Sequence, residues 1–324
     1  MRALASPTSL KGVLTAKEAA RALAAGLTLA GAEAEELPVA DGGEGTAEVL
    51  QTALGGELHE ATVSDPLGRP VRARWLLLPD RTAVVESAQA IGLGLLTPEE
   101  RDPLRASSTG LGELVAAALG RAPERLLIGL GGSATVDGGA GLHAVLRLLP
   151  VRTEVLCDVR NPLLGERGAA RVFGAQKGAS IEAMEELEVR LAGRRDLAPY
   201  ATLTGAGAAG GLGAALAALG AVLVPGARRV LALLRFPERA RRADLVISGE
   251  GTIDRTTGEG KAPGEVAQIC REVRIPCALF GGRVLERLDG VEVHELSGHP
   301  ERAREDLVEL GERLGRASTS RQPP

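Results

Sequence analysis

The sequence predicts an α/β protein of two domains, in which a mixed α/β domain is inserted into a parallel-sheet domain of the Rossmann or flavodoxin type. The chain of 324 residues is long enough to form two hydrophobic cores. Both of its ends alternate short apolar runs with helical periodicity, which is typical of a parallel sheet, whereas the middle contains period-two patterns typical of antiparallel strands. We expect the parallel domain at residues 1–56 and 228–324, and the inserted domain at residues 57–227.

The N-terminal elements follow from these patterns in order. Arg2–Ala5 and residues 37–40 are short apolar runs that predict strands, and Ala16–Leu29 and Thr46–Leu54 have the periodicity of helices. Over residues 59–86, polar and apolar side chains alternate between turn signals such as DPLGRP, which predicts antiparallel strands.

The later elements alternate helix and strand. Helices are predicted over residues 107–119 and Ile181–Ala192, and strands over residues 126–128 and 154–157. Residues 244–248, 264–272 and 276–280 then read as strand, helix and strand, which is a βαβ unit. The tail after Arg316 is expected to fray.

Residues 197–227 form an uncharged, Gly/Ala-rich stretch that is long enough to span a membrane. Its large aliphatic side chains recur at helical spacing, at Leu212, Leu216, Leu219 and Leu223. This spacing predicts a helix packed in the core rather than a membrane span.

Composition limits the function classes. A net charge of −4 and an aromatic content of 2% argue against nucleic-acid binding. The three cysteines lack CxxC spacing, so we expect neither a zinc site nor a disulfide framework, which fits a cytoplasmic protein. The four histidines form no catalytic pattern, and a carboxylate is therefore the expected general base. We expect no membrane partner, and a homodimer is compatible with the sequence.

The most informative stretch is LLIGLGGSATVDGGAG, residues 126–141, in which an apolar run leads into a loop with six glycines. Backbone N–H groups at Gly131 and Gly132, with the hydroxyls of Ser133 and Thr135, could surround an anion. Asp137 would repel that anion unless a cation lies between them, which indicates Mg²⁺ and a nucleotide phosphate. The alternative is a tight strand-to-helix turn without a ligand.

Three more segments combine glycine with acidic or small residues: residues 40–46 (ADGGEGT), 204–213 (TGAGAAGGLG) and 247–261 (ISGEGTIDRTTGEGK). The first and last follow apolar runs, and ligands bind at the carboxyl ends of strands in open α/β sheets. Three of the four lysines, Lys11, Lys177 and Lys261, lie beside glycine, where an ammonium suits phosphate oxygens. These features together predict an enzyme that handles phosphate.

The motifs, in this order, resemble those of the bacterial glycerate kinase family. The matching segments are residues 9–12 (SLKG), 39–46 (VADGGEGT), 65–69 (DPLGR), 131–141 (GGSATVDGGAG), 157–162 (CDVRNP), 172–178 (VFGAQKG), 205–213 (GAGAAGGLG), 248–254 (SGEGTID) and 260–263 (GKAP). The resemblance implies ATP-dependent phosphorylation of D-glycerate, with 2-phosphoglycerate as the favoured product. It also implies a two-domain α/β architecture with one domain inserted into the other.

The chain departs from the family pattern at several positions. Thr8 replaces a usual aspartate, Val136 a usual small polar residue, and Thr252 a common basic residue. The segment around Pro150 is also shorter than in most members of the family. These departures concern substrate positioning and leave the glycine-acid motifs intact.

Roles for individual residues follow from residue type and loop position. Lys261 is the first candidate for a phosphate contact. The residues expected to bind ATP are Gly131, Gly132, Ser133, Thr135, Lys177, Lys11 and Glu250, and those expected to hold Mg²⁺ are Asp137 and Asp158. The residues expected to act in catalysis are Asp41, Glu44, Lys261 and Asp254, with Asp41 preferred as the base that accepts the glycerate hydroxyl proton. Helix capping is the alternative for Glu44, and a turn or cap role is the alternative for Asp158.

Two other functions stay open on the sequence. One is a protein of the same fold that binds ATP or glycerate as a sensor without turnover. The other is an NAD(P)-dependent oxidoreductase, for which residues 205–210 (GAGAAG) match the glycine pattern but follow a poor strand. The GxxxxGK[ST] loop and the protein-kinase motifs are absent from the sequence, so any nucleotide site is built differently.

Overall fold

The computed structural model describes residues 1–319. Its strands in that range, in chain order, are β1 (Arg2–Ala5), β2 (Glu33–Glu36), β3 (Glu57–Ser64), β4 (Pro70–Leu77), β5 (Thr82–Glu86), β6 (Arg125–Gly129), β7 (Arg152–Leu156), β8 (Val222–Val224), β9 (Leu245–Ile253), β10 (Cys277–Val284) and β11 (Glu292–Glu295).

The α-helices of the same residues are α1 (Ala16–Leu29), α2 (Thr46–Leu54), α3 (Ser87–Ile91), α4 (Thr109–Leu119), α5 (Ala140–Val145), α6 (Ala169–Phe173), α7 (Ile181–Ala192), α8 (Ala208–Ala218), α9 (Gly226–Leu233), α10 (Phe236–Ala240), α11 (Ala262–Val273) and α12 (Ala303–Thr319). Short 3-10 helices include Ala175–Lys177, Arg195–Tyr200 and Arg255–Glu259. Throughout the described part of the chain, every helix is too short or too polar to span a bilayer.

The first sheet has five strands in the order β11-β10-β9-β1-β2, and all neighbouring strands are parallel. Its strands come from both ends of the sequence, as the alternation of strand and helix predicts. Leu23 and Leu27 of α1 and Leu307 of α12 are fully buried in one apolar cluster with Ile247 and Phe280 of the central strands. Removal of these side chains from water stabilises this layer of helices on the sheet.

The second sheet has six strands in the order β3-β4-β5-β6-β7-β8. The pairs β3–β4 and β4–β5 are antiparallel, and the strands from β5 to β8 are parallel. The α/β fold with one parallel and one mixed sheet confirms the predicted fold class. In this part of the chain Trp75, Val85, Leu111, Ile128 and Leu212 belong to one buried apolar cluster.

The chain divides into two compact units. The first unit comprises Met1–Asp41, Glu48–Ala53 and the described residues from Ala227 onward, and the second comprises Gly42–Ala47 and Leu54–Gly226. The first unit holds the parallel sheet and the second holds the mixed sheet. The loop Gly42–Ala47 therefore groups with the mixed sheet, although its neighbours in sequence group with the parallel one.

Several predicted boundaries are wrong. Residues 37–40 are buried but are not a strand. The amides of Leu37 and Val39 donate to the carbonyls of Ala5 and Pro7 at 2.9 and 3.0 Å, but Pro7 has no N–H that could donate a return bond. Conversely, β9 continues to Ile253 because it stays paired with β10, so most of SGEGTID is strand rather than loop.

The Gly/Ala-rich stretch contains a shorter helix than predicted. The buried helix is α8, which is flanked by the 3-10 helix Arg195–Tyr200 and by β8. Near its start, the backbone of Ala209, Gly210 and Gly211 is not helical. At the C-terminal end of the described chain, α12 continues to Thr319. The predicted fraying after Arg316 is therefore wrong for residues 317–319. The rest of that tail lies outside the described residues.

Helices α1 and α12 pack with their backbones close together. A Cβ atom at Gly26 of α1 would lie 1.9 Å from the carbonyl oxygen of Val308. A Cβ atom at Gly311 of α12 would lie 2.3 Å from the carbonyl oxygen of Leu23. Glycine at both positions therefore sets the distance between the two helices.

Replacement of Gly26 by alanine tests this packing. Because the Val308 carbonyl is backbone and cannot rotate away, we expect Gly26→Ala to lower the free energy of unfolding by about 1–3 kcal/mol in urea denaturation. Gly94→Ala is the matched control, since an added Cβ there meets no atom within 4 Å. Equal unfolding free energies for the two variants would contradict the close approach of α1 and α12.

Candidate active site

Three parallel strands of the second unit end at one edge of the mixed sheet. Glu86 at the end of β5 lies in register with Gly129 of β6, which in turn lies in register with Leu156 of β7. The segments that leave these strands therefore start side by side. They are α3, the loop of residues 130–139, and residues 157–162, and ligands bind at such edges in α/β sheets.

The loop Gly42–Ala47 lies directly on this edge. A Cβ at Gly129 would lie 2.4 Å from the carbonyl oxygen of Gly42, and a Cβ at Gly131 would lie 2.9 Å from the Cα of Gly43. The buried Glu86 accepts the amide of Ala47 at 2.6 Å through Oε1. The structure thus brings together the ADGGEGT and GGSAT segments.

Most glycines of the GGSATVDGGAG segment serve close packing. A Cβ at Gly138, Gly139 or Gly141 would meet a neighbouring atom at 2.9, 2.3 or 2.3 Å. Gly132 differs, because it is exposed, has φ +64°, and its nearest neighbour would lie at 3.5 Å. Gly132 is thus the position of this loop where the backbone is open to a ligand.

The TGAGAAGGLG segment supports the same loop from another side. Ala209, Gly210 and Gly211 all have positive φ, and a Cβ at Gly210 would lie 2.0 Å from the carbonyl oxygen of Thr135. The amide of Gly138 donates to the carbonyl of Gly210 at 3.0 Å. Because this segment follows the 3-10 helix Arg195–Tyr200 and not a strand, it lacks the setting of a dinucleotide-binding motif.

Lys177 lies beneath the GGSAT loop. Its side chain is buried, and Nζ donates to Ser133 Oγ at 3.0 Å and to the Thr135 carbonyl at 2.7 Å. Loss of hydration lowers the pKa of this ammonium to about 7, against the opposing attraction of Asp137. The sequence predicted Lys177 as an ATP-binding residue. In the structure its ammonium instead bonds to the inner side of the GGSAT loop.

Asp137 is engaged by four hydrogen bonds. Its Oδ2 accepts from the amide and hydroxyl of Ser108 at 2.9 and 2.7 Å and from the Gly141 amide at 3.1 Å, and its Oδ1 accepts from the Gly139 amide at 3.0 Å. A carboxylate offers about four lone-pair sites, so these donors occupy it. This geometry favours a structural role for Asp137 over the predicted metal role.

Asp158 follows β7 and accepts the amide of Gly226, the first residue of α9, at 2.8 Å through Oδ1. This bond joins Asp158 to a distant segment and is not the turn or cap within the CDVRNP loop that the sequence offered as the alternative. Within residues 1–319, no group of three or more His, Cys, Asp or Glu side chains has the geometry of a metal site. A Mg²⁺ ion bound through phosphates needs only one or two carboxylates, so Asp158 stays compatible with that role.

The other predicted residues cluster in the first unit. Glu250 of β9 accepts from Thr257 Oγ1 at 2.6 Å and from Lys261 Nζ at 3.3 Å. Lys261 is the N-cap residue of α11, and its Nζ also lies 3.7 Å from Asp254 Oδ1. The SLKG loop is adjacent, since a Cβ at Gly251 would lie 4.0 Å from the amide nitrogen of Lys11.

The two carboxylates of this cluster differ in basicity. Burial raises the pKa of Glu250, partly offset by hydrogen bonds from Thr257 and Lys261. The hydrogen bond from Thr256 leads a set of interactions that lower the pKa of Asp254. Asp254 is therefore the weaker base of the pair.

The structure also places the two predicted bases and two of the residues that depart from the family pattern. Asp41 and Glu44 are both exposed, Asp41 in the first unit and Glu44 in the second. Thr8 donates through Oγ1 to the Gly249 carbonyl at 3.1 Å, a bond that an ionised aspartate could not make. Val136 is buried in an apolar cluster, so its departure from the family pattern is explained by packing.

Sequence reasoning missed three residues that organise the site: Glu86, Ser108 and Thr257. Glu86 and Ser108 bond to Ala47 and Asp137, which are distant in sequence, and Thr257 bonds to Glu250 from a 3-10 turn. For Glu86, the sequence shows only an acidic residue at the end of the apolar run TAVVE. That pattern occurs too often in proteins to assign the residue a role.

Comparison with known proteins gives the family. The sequence profile of the Glycerate kinase family matches residues 3–149 and 143–307. The glycerate kinase of Bacillus subtilis (strain 168) is 40% identical over an alignment 336 positions long, which covers 91% of this chain and 88% of that protein. The chain belongs to the glycerate kinase family.

Other family members show the same extent of similarity. The glycerate 2-kinase of Escherichia coli (strain K12) is 38% identical, and the alignment covers 91% of this chain and 88% of that protein. A crystal structure from Salmonella typhimurium LT2, solved as a candidate glycerate kinase 2, has a TM-score of 0.86 at 35% identity. It covers 99% of this chain and 98% of its own. The resemblance inferred from the nine motifs is confirmed.

The role of Asp137 can be tested by Asp137→Asn. The amide nitrogen would direct donors at backbone amides that are themselves donors, so we expect the free energy of unfolding to fall by about 1–3 kcal/mol in urea denaturation. Unchanged unfolding with a higher Mg²⁺ requirement for activity would contradict the structural role and favour a metal ligand.

Burial of Lys177 predicts a pH dependence of stability. The folded-state pKa of about 7 lies below the ordinary value of 10.5, so between these pH values the unfolded chain carries the proton and the folded chain does not. The free energy of unfolding of the parent, relative to Lys177→Met, should therefore rise with pH across this window, by at most roughly 1.4 kcal/mol per pH unit. Urea denaturation at several pH values measures this difference. A difference that falls or stays flat from pH 7 to 10.5 would show that Lys177 keeps its charge when folded.

Proposed function

We propose that this chain transfers the γ-phosphoryl group of ATP to D-glycerate and forms 2-phosphoglycerate. The observation that carries the proposal is membership of the glycerate kinase family over nearly the whole chain, with a relative named glycerate 2-kinase at 38% identity. The two units described above would act as the two domains expected from the sequence. A cytoplasmic location stays the expectation from cysteine usage.

Phosphoryl transfer between two anions requires mainly positioning and positive charge. In the second unit, the open backbone at Gly132 and the Ser133 hydroxyl are the groups we assign to ATP phosphates. The Gly131 amide, which the sequence predicted for the same role, donates to Ser87 Oγ at 3.2 Å instead. The Lys177 ammonium beneath Ser133 and Thr135 adds positive charge from the inner side of this loop. An anion near these groups would also offset the cost of a buried cation.

In the first unit, we assign Lys261 to a phosphate contact, with Lys11 on the adjacent loop as a second cation. Lys261 is about one-third exposed and lies between Glu250 and Asp254. These carboxylates hold the ammonium at the start of α11, so its position is defined before a nucleotide binds. Glu250 thus acts on the nucleotide through Lys261.

The base that accepts the glycerate hydroxyl proton is assigned to Asp41, with Glu44 as the alternative. Both are exposed and follow the buried residues 37–40. Asp254 is disfavoured, because its lowered pKa makes it a poorer proton acceptor.

Mg²⁺ is expected to enter as its complex with ATP. Its usual ligands are phosphates with one or two carboxylates, and Asp158 is the predicted carboxylate that fits this requirement better than Asp137. When bound, the ion would neutralise charge on the transferring phosphoryl group.

The reaction is tested by ADP release from ATP and Mg²⁺ with D-glycerate, coupled to enolase so that only 2-phosphoglycerate yields phosphoenolpyruvate. We expect glycerate-dependent ADP together with phosphoenolpyruvate, which accumulates in proportion to ADP up to the enolase equilibrium. ADP without phosphoenolpyruvate would point to the 3-phosphate or to hydrolysis, and omission of D-glycerate separates these two. Absence of glycerate-dependent ADP would overturn the proposed function.

A further inference from the structure

Lys177 has an unusual environment for a lysine. Its side chain is 2% exposed, and both partners of its ammonium, Ser133 Oγ and the Thr135 carbonyl, are uncharged. Burial of a charge without a directly bonded carboxylate is costly, and a surface turn would not require it. The cost indicates a role beyond the stability of the fold.

The donor chemistry of lysine fixes the direction of both hydrogen bonds. The protonated amine, which a nearby anion would favour, has donors and no acceptor, so in that state Ser133 Oγ must accept from Lys177 and must direct its own hydrogen elsewhere. The Thr135 carbonyl is likewise drawn toward Lys177. Because the peptide is planar and trans, the N–H of Val136 then points the opposite way. Lys177 thereby holds two acceptors of the loop, Ser133 Oγ and the Thr135 carbonyl, toward itself.

The neighbouring polar groups fit this arrangement. Thr135 is fully buried, and its Oγ1 has no hydrogen-bond partner among the residues that the structure describes. The exposed backbone at Gly132 lies next to Ser133, so a ligand at Gly132 would meet a serine hydroxyl that is fixed as a donor. An anionic ligand benefits from donors and is repelled by acceptors.

We propose that Lys177 is a positioning residue for ATP: through Ser133 and Thr135 it holds the GGSAT loop, with the Ser133 hydroxyl as a donor, in the conformation that binds the phosphates, and it does not itself touch them. This inference rests on the proposed function, because ATP is the ligand that function supplies. It replaces the direct phosphate contact expected for Lys177 from the sequence.

A double-mutant cycle separates positioning from a purely structural role. Lys177→Met keeps the apolar length of the side chain without its donors, and Ser133→Ala removes the hydroxyl. ATP affinity would be measured by titration calorimetry with Mg²⁺ for the parent, both single variants and the double variant. KM for ATP and for D-glycerate, and the melting temperature, would be measured on the same four proteins. Lys17→Met, an exposed lysine on α1, is the matched control for loss of an ammonium.

We expect each single variant to weaken ATP binding about tenfold, the size of a lost hydrogen bond to a charged group. KM for ATP should rise in parallel, while KM for D-glycerate and the behaviour of Lys17→Met stay near the parent values. The double variant should bind ATP no more weakly than the weaker single variant, because Lys177 and Ser133 act as one unit.

Three results would overturn the proposal: unchanged ATP affinity despite a lower melting temperature, multiplicative effects in the double variant, or a rise in KM for D-glycerate alone. If Lys177→Met does not fold, the ATP affinity of Ser133→Ala tests the proposal. Unchanged ATP affinity in that variant would overturn it, because Lys177 is proposed to act through Ser133. Because ATP binding is measured directly, a parent that binds ATP without phosphorylating glycerate would defeat the proposed function and leave this test intact. A parent that does not bind ATP would defeat both.

Discussion

The absence of Cβ atoms where two backbone segments meet is the constraint on which the second unit's site depends. The loop Gly42–Ala47 approaches Gly129 and Gly131 so closely that a methyl group at either position would collide with backbone. On another side of the same loop, Gly210 approaches the Thr135 carbonyl equally closely. The GGSAT segment is therefore held between two other backbone segments, and its conformation is set before any ligand arrives.

This packing explains most of the glycines that the sequence attributed to anion binding. Six glycines in one loop indicate an anion cradle, yet five of them would each bring a Cβ within 3 Å of a neighbour. Gly132 is the exception, so a single glycine of this loop leaves its backbone open to a ligand. The closely packed glycines provide preorganisation, which lowers the ordering cost that a ligand must otherwise offset on binding.

The two units place their lysines in opposite electrostatic settings. Lys261 is partly exposed and lies between two carboxylates, so its charge is locally neutralised. Lys177 is buried against uncharged oxygens, and its charge is not neutralised by a direct contact. The Lys261 ammonium is thus paired with carboxylates near the surface of the first unit, whereas the Lys177 ammonium donates to uncharged oxygens inside the second.

Local patterns predicted local structure well. Arg2–Ala5, Ala16–Leu29, Thr46–Leu54 and Ile181–Ala192 have the predicted bounds, because periodicity and capping are properties of adjacent residues. Residues 37–40 were misassigned because an apolar run reports burial and not hydrogen-bond pairing. The roles of Asp137 and Lys177 could not be predicted from their surroundings in sequence, because their partners Ser108 and Ser133 are 29 and 44 residues away.

The chain passes between the two units four times, after Asp41, Ala47, Ala53 and Gly226. A contiguous piece covering residues 54–226 therefore contains the mixed sheet but lacks the short loop that rests on Gly129 and Gly131. If the mixed-sheet unit were transferred to another gene as residues 54–226, it would lack the six residues Gly42–Ala47, which lie within the sequence of the other unit. Recombination at the borders of residues 54–226 would transfer the mixed sheet and leave behind the loop that packs on its carboxyl edge.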